Sequence, residues 1–478
     1  MSRTWTLAEV SSHRTEESCW VVLHGKVYDI TSFVPKHPGG RSILLKNAGQ
    51  DASAAFDSIH PVEILDEYLT PDQVIGTIEL GRAAGDTKTQ KSKDDSQLGS
   101  KELSPSTLPP LASMLSVAEI ESYAMRCLSP KAISYYVSAS DDQITKELNG
   151  KIYRSILLRP RVFVDCTECS LETSLIGNKV GLPIYVSPAA IARLAHPRGE
   201  AGISRACSNF SALQIISKNA SMSPPAIVSA GPNAVFAWQL YVLKDLAATE
   251  RTLAQIRKIP QIRFIVLTLD APFPGKREAD ERFKMAEVAG GAPPQAWGTE
   301  SGLTWRKTLE WLGRHTRLPI VLKGVQTHED AFAATLFPAV KGIIISNHGG
   351  RALDTAPPPV QVLLEIRKYC PQVFNMIDVL VDGGIKRGTD VVKALALGAK
   401  GVGIGRAALY GLSVGGEEGV ERVLKILSDE TRTAMRLLGV RNVSELSPQH
   451  INISALTSGL FDGPSGLENV EKLLRSKL

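Results

Sequence analysis

At 478 residues, with 43% hydrophobic and 22% charged residues and a mean hydropathy of -0.02, the chain is too long for one ordinary core, and two soluble domains are expected. The net charge of +5 is spread without basic blocks and no apolar run approaches the roughly 20 residues that span a bilayer, so neither nucleic acid nor membrane is expected as a partner. Six scattered cysteines make no disulfide framework, the CxxC of Cys166 and Cys169 has no second pair for a zinc site, and "MSRTWTLAEV" lacks the apolar core of a signal peptide; reduced thiols inside the cell are expected.

In chain order, the first feature is "WVVLHGKVYDITSF", followed by His37 in "FVPKHPGG" and His60 in "FDSIHP". The two histidines are 23 residues apart, too far for one helix face and suited to two loops gripping opposite sides of something flat, although two unrelated surface histidines would show the same spacing. A haem iron with neutral imidazoles in both axial positions would have no open site, and so would carry electrons instead of binding oxygen. Residues 5–80 resemble the cytochrome b5 family, and the resemblance implies haem b held by His37 and His60 in a small α+β domain over residues 1–80.

Residues 81–110 follow, rich in Lys, Asp, Ser and Pro with isolated leucines, a composition that cannot offset its ordering entropy; a flexible linker is expected there. From 111 to 478 a grammar repeats: a short apolar strand, a polar or Gly-rich stop, then a helix-like stretch. Eight strands fit it, in "LPIYVSPAA", "LQIISKNA", "FAWQLYV", "FIVLTLDAP", "LPIVLKGV", "GIIISNHGG", "DVLVDGGI" and "GVGIGRAAL", which predicts a (β/α)8 TIM barrel and an α/β fold class. In such a barrel the strand ends converge, bringing together Gln239, Tyr241, Asp270, Lys323, His348, Arg351, Asp382 and Arg406. Alone, His348 would read as an ordinary loop histidine; in that company it reads as catalytic.

Residues 111–460, with "SNHGGRALD" at 346–354, resemble the FMN-dependent 2-hydroxy acid oxidases and dehydrogenases, and together with the haem domain the chain resembles the flavocytochrome b2 type. The resemblance implies FMN, a small L-2-hydroxy acid substrate and a homo-oligomer, a tetramer in relatives. It makes His348 the base and Asp270 its orienting carboxylate, while leaving open whether the hydroxyl proton or the C2 proton is taken. Arg351, Arg277, Tyr135, Tyr241 and Asn219 are the implied substrate contacts, and Lys323 the cation beside the flavin. Ala189, Ala190, Ser217, Gln239 and Thr268 are the implied ring contacts. Asp382 would hold the ribityl chain, and Gly383, Gly384, Lys386, Gly405 and Arg406 the phosphate.

Three positions depart from the family pattern: Ala189 stands for the usual Thr, Lys386 for Arg, and Asn219 for the Trp or Leu over the substrate side chain. The last of these points away from plain lactate. Ser476-Lys477-Leu478 spells the address read by the peroxisomal import receptor, so a peroxisomal location is expected, with the cytoplasm as alternative. That address conflicts with delivery of electrons to a mitochondrial cytochrome. It favours either another acceptor for the haem electrons, in place of that cytochrome, or oxygen in a peroxide-forming oxidase; a haem module on a dead barrel is the non-enzymatic rival, disfavoured by the intact polar set.

Overall fold

The computed structural model describes residues 3–37, 40–57, 59–79, 108–287 and 299–476. Among these the chain divides into two units: residues up to 108 without 59–61, and 59–61 together with residues from 109 onward. Of the expected linker only 108–110 are described, and Lys477 and Leu478 of the terminal tripeptide lie outside the described residues.

The first unit holds a four-stranded sheet in the order β1-β4-β3-β2, made of β1 (Thr4–Trp5), β2 (Trp20–Leu23), β3 (Lys26–Asp29) and β4 (Val74–Ile78). "WVVLHGKVYD" folds as the hairpin β2–β3 because His24 and Gly25, at φ 50° and 76°, form a two-residue turn whose twist matches the strands. Alternation then sorts the side chains, Val21, Leu23 and Tyr28 into one core and Val22 and Val27, with Trp5 and Val10, into another. The helices Arg41–Asn47 and Ser53–Asp57 bury no residue fully. Their Leu44, Leu45 and Phe56, with Phe33, Leu65 and Leu69, pack part-buried against the first core. His37 ends the 3-10 helix Thr31–Lys36. His60 follows Ser53–Asp57 in sequence and falls in the 59–61 segment that groups with the second unit.

In the second unit β5 (Leu157–Leu158) pairs antiparallel with the late strand β16 (Ile451–Asn452), and β6 (Thr173–Leu175) with β7 (Asn178–Val180) forms a hairpin. All eight predicted strands are present: β8 (Ile184–Val186), β9 (Leu213–Ile216), β10 (Val235–Leu240), β11 (Ile262–Thr268), β12 (Ile320–Val325), β13 (Val340–Ile345), β14 (Asp378–Asp382) and β15 (Gly401–Ile404). They close into one parallel barrel, β15 pairing with β8. Tyr185, Ile215, Ala237, Val266, Val321, Ile344 and Leu380 fill its interior, whereas Ile184, Trp238, Ile265, Ile343 and Ile345 join the core shared with the helices. The three isoleucines of "GIIIS" are thus apolar without alternation because both faces of β13 are dry. Leu175, Ile176 and Val180 of the hairpin join the interior cluster, and the Ile176 amide donates to Asp378 Oδ2 (2.7 Å) at the start of β14, so this hairpin plugs the N-terminal end of the barrel. The opposite, C-terminal end is left for chemistry. No helix among the described residues is long and apolar enough to cross a membrane.

Candidate active site

The period that fills the barrel also builds its mouth. Two residues beyond each interior apolar side chain the strand presents a polar one: Ser187 after Tyr185, Ser217 after Ile215, Gln239 after Ala237, Thr268 after Val266, Lys323 after Val321, Ser346 after Ile344 and Asp382 after Leu380. A further step of two reaches Tyr241, Asp270 and His348. These strand ends surround a cavity of about 680 Å³, within the range of cofactor sites. Every site residue expected of the barrel lines it (Tyr135, Ala189, Ala190, Ser217, Asn219, Gln239, Tyr241, Thr268, Arg277, Lys323, His348, Arg351, Asp382, Gly383, Gly384, Lys386, Gly405 and Arg406) except Asp270. That carboxylate is fully buried behind His348.

His348 Nδ1 lies 2.8 Å from Asp270 Oδ1. Burial pushes the Asp270 carboxyl up, but the charges of His348 and Lys323 and the hydrogen bond from His348 outweigh it and hold it below its ordinary value. An ionised carboxylate can only accept, so Nδ1 carries the hydrogen and the lone pair of a neutral ring sits on Nε2. Tyr241 Oη stands 3.5 Å from that Nε2. Burial and the Asp270 charge push the Tyr241 hydroxyl well up, so it remains a donor. His348 itself has φ 59°, followed by Gly349 at 67° and Gly350 at 78°, a left-handed run that costs a non-glycine residue about 1–3 kcal/mol and is held by its surroundings.

The cations are graded by their commitments. Lys323 Nζ donates to Ser346 Oγ (2.7 Å) and pairs with Asp382 Oδ2 (3.5 Å), which also accepts from Ser187 Oγ (2.9 Å). Ser346 Oγ accepts the His348 amide as well (3.1 Å), joining Lys323 to the base loop. Arg351 Nη1 donates to the carbonyls of Tyr135 (2.7 Å) and Tyr136 (3.1 Å), so a carboxylate would meet the Nε–Nη2 edge. Arg277 and Arg351 lie over the Tyr135 ring, 5.4 and 5.3 Å from its centroid. Arg277 pairs with Asp280 (2.9 Å) through Nη2, and its buried Nη1 has no hydrogen-bond partner among the described residues. A buried donor of that kind is costly unless an anion meets it. Burial and the charge of Arg277 bring the Arg351 guanidinium down to about 10.

Another part of the lining fits FMN. The loop Gly383-Gly384, at φ 103° and 81°, and Gly405, just before the helix that starts at Arg406, line the cavity beside the Arg406 guanidinium, where a helix N-terminus, close backbone and a cation meet as a phosphate requires. Gln239 Nε2 donates to Thr268 Oγ1 (3.0 Å), and Gln239 Oε1 accepts from the Lys218 amide (3.0 Å), a fixed polar row for a planar ring. Lys386 departs from expectation: its Nζ is paired with Glu121 at 2.6 Å, so its charge is shared before it reaches any phosphate. In the first unit the His37 ring fits iron ligation. Its Nδ1 can only donate to the Gly40 carbonyl (3.1 Å), which leaves the lone pair on Nε2, and burial holds its pKa below the ordinary value, favouring the neutral ligand form. Sequence reasoning gave no role to Ser187, signalled only by the two-residue step along its strand, or to Ser346 and Asp354, although they are the two ends of the quoted "SNHGGRALD". It also missed Asn149, which left no local signal.

With this geometry in place, the comparisons with known proteins assign the class. The FMN-dependent dehydrogenase family matches residues 124–453, and the cytochrome b5-like heme/steroid binding domain matches residues 6–79. The chain belongs to the FMN-dependent dehydrogenase family and carries a cytochrome b5-like domain in front of the barrel. It is 36% identical to an L-lactate dehydrogenase (cytochrome) of Saccharomyces cerevisiae, over 96% of this chain and 81% of that one. It is 38% identical to a glycolate oxidase of Spinacia oleracea over 73% of this chain and 97% of the relative. Among solved structures, a flavocytochrome b2 variant with pyruvate bound superposes with a TM-score of 0.69 at 37% identity, covering 77% of this chain and 93% of that one.

Proposed function

We propose that the chain oxidises an L-2-hydroxy acid to the 2-oxo acid and passes the electrons through FMN to a b-type haem, as an L-lactate dehydrogenase (cytochrome)-like enzyme. One observation carries it: the His348–Asp270 pair, at 2.8 Å, opens with Tyr241 and Arg277 into the same cavity as the anion cradle of Gly383, Gly384 and Arg406. Oxidation removes two electrons and two protons from the substrate. FMN, when bound, supplies the two-electron acceptor. Nε2 of His348 takes a proton, Asp270 stabilises the resulting imidazolium, and the Tyr241 hydroxyl donates to the substrate oxygen. Arg277 and the outer edge of Arg351 hold the carboxylate, and Lys323 supplies positive charge where negative charge develops. His37 and His60 are the haem ligands in this reading.

Anaerobic mixing with a panel of 2-hydroxy acids tests it. Flavin bleaching followed by reduction of the haem bands is the expected result, bleaching alone would make the chain an oxidase that uses oxygen, and no change would refute the enzyme. Asn219, exposed at the cavity, favours a longer or more polar acid than lactate because an amide leaves room plus an unpaired donor and acceptor; lactate giving the highest kcat/KM of the panel would overturn this. The tripeptide Ser476-Lys477-Leu478 supports a peroxisomal location, which a fluorescent protein fused ahead of the chain, with and without the tripeptide, would test. A homotetramer is the assembly that the resemblance supports, and sedimentation of the holoprotein checks it.

A further inference from the structure

The base loop is fastened to a segment no motif singled out. Asn149, on the helix Ile144–Lys151, and Asn347, immediately before His348, are both about 1% exposed and exchange two hydrogen bonds, Nδ2 to Oδ1 in each direction, at 2.8 Å. Asn347 Oδ1 also accepts the Gly350 amide (3.1 Å), so its amide group is an internal brace of the left-handed run through His348. The other end of the loop grips the same helix. Asp354 accepts the amides of Ile144 (3.2 Å) and Thr145 (2.8 Å), standing in for the cap that Gln143 does not provide. Asn149 touches the cofactor wall too: a Cβ on Gly384 would come within 2.0 Å of the Asn149 carbonyl oxygen, and one on Gly383 within 3.4 Å of Asn149 Nδ2.

We propose that Asn149 is a positioning residue that acts through Asn347 on His348 and ties the base loop to the Gly383-Gly384 turn. The side-chain amide of Asn149 meets the brace of the base, its Nδ2 lies beside Gly383, and its main-chain carbonyl packs against Gly384, so displacement of either the base loop or the anion cradle is felt at this one residue. An amide pair has a strict requirement, one donor and one acceptor on each partner. Aspartate at 149 would accept from Asn347 Nδ2 but set a second oxygen against Asn347 Oδ1. Protonation converts that oxygen into a donor and restores the reciprocal pair, and burial favours the protonated form.

The test is Asn149→Asp in the FMN-loaded protein, with two readouts: the single-turnover rate of flavin reduction and the rate of FMN release followed by its fluorescence. At pH 8 the variant should reduce its flavin about tenfold more slowly than wild type and release FMN several-fold faster, as expected for a buried hydrogen bond replaced by a repulsive contact. At pH 6 both ratios to wild type should recover by about threefold or more, because the donor returns. Ratios that do not change with pH, a wild-type rate at pH 8, or unaltered FMN release would each overturn the proposal. If the aspartate variant yields no holoprotein, the cycle of Asn149→Ser, Asn347→Ser and the double variant decides. Non-additive rates, with the double no slower than Asn347→Ser to within about twofold, support the pair, and multiplicative losses refute it. The inference rests on His348 as the base; wild-type protein unable to reduce its flavin would sink that reading, whereas pH-independent ratios sink only this one.

Discussion

The barrel and the small N-terminal unit solve the same problem, holding a prosthetic group, in opposite ways. In the barrel the polar side chains are oriented by one another: His348 by Asp270, Lys323 by Ser346 and Asp382, Gln239 by Thr268 and the Lys218 amide. In the N-terminal unit four strands pair into one sheet, the helices Arg41–Asn47 and Ser53–Asp57 bury nothing fully, and the His37 ring is preset by the Gly40 carbonyl. Substituting a barrel residue that meets the substrate is therefore expected to remove chemistry and keep the fold, with Lys323, whose charge also offsets the buried Asp382, as the exception, whereas the haem unit should lose its group, and with it rigidity, while the barrel continues unaffected.

The largest effect should come from His348→Gln. Removing the base costs about 10²–10⁴-fold in substrate-driven flavin reduction. FMN content should not change, since the anion cradle lies on other strands. Stopped-flow absorbance measures the first and flavin per chain the second; a rate above about a tenth of wild type would refute the assignment. Next is Lys323→Met. It leaves Asp382, about 8% exposed at its side chain, buried with a hydroxyl as its sole remaining neighbour of those named, and breaking such a pair costs about 3–5 kcal/mol. A clear fall in the thermal midpoint with loss of FMN is expected; an unshifted midpoint would show that the pair is not structurally committed. His37→Ala should abolish the haem absorbance and leave flavin reduction by substrate unchanged, and loss of FMN in that variant would break the contrast between the two units.

The same contrast explains what could be read in advance. Barrel strands announce themselves because both faces are dry and the polar stop follows at a fixed step, so "GIIISNHGG" carries both β13 and the base. The hairpin β6–β7 escaped because its strands are three residues each and its turn puts Ile176 at φ 49° ahead of Gly177 at φ 72°, so only the second turn position carries the residue that such a turn favours. Asn149 escaped for a different reason: its partner is 198 residues away, and a reciprocal amide pair imposes no local pattern. The Arg277–Tyr135–Arg351 stack and the pairing of Lys386 with Glu121 are likewise products of assembly, formed between elements whose sequences are separately unremarkable.

The smallest expected effect sharpens the reading of the substrate cations. Burial and the neighbouring Arg277 charge lower the Arg351 guanidinium to about 10, the opposite direction from a cation stabilised by a carboxylate. A guanidinium keeps its proton throughout the working pH range, so the lowered value marks a cation held at a cost by burial and by Arg277, a cost that a carboxylate bound at the Nε–Nη2 edge relieves. Arg351→Lys keeps the charge and loses the planar fork, so kcat/KM for the 2-hydroxy acid should fall by about tenfold, more through KM than through kcat, as steady-state kinetics would show. An unchanged KM would mean that Arg351 does not meet the substrate, and would move the carboxylate onto Arg277 alone, whose buried Nη1 has no other partner among the described residues.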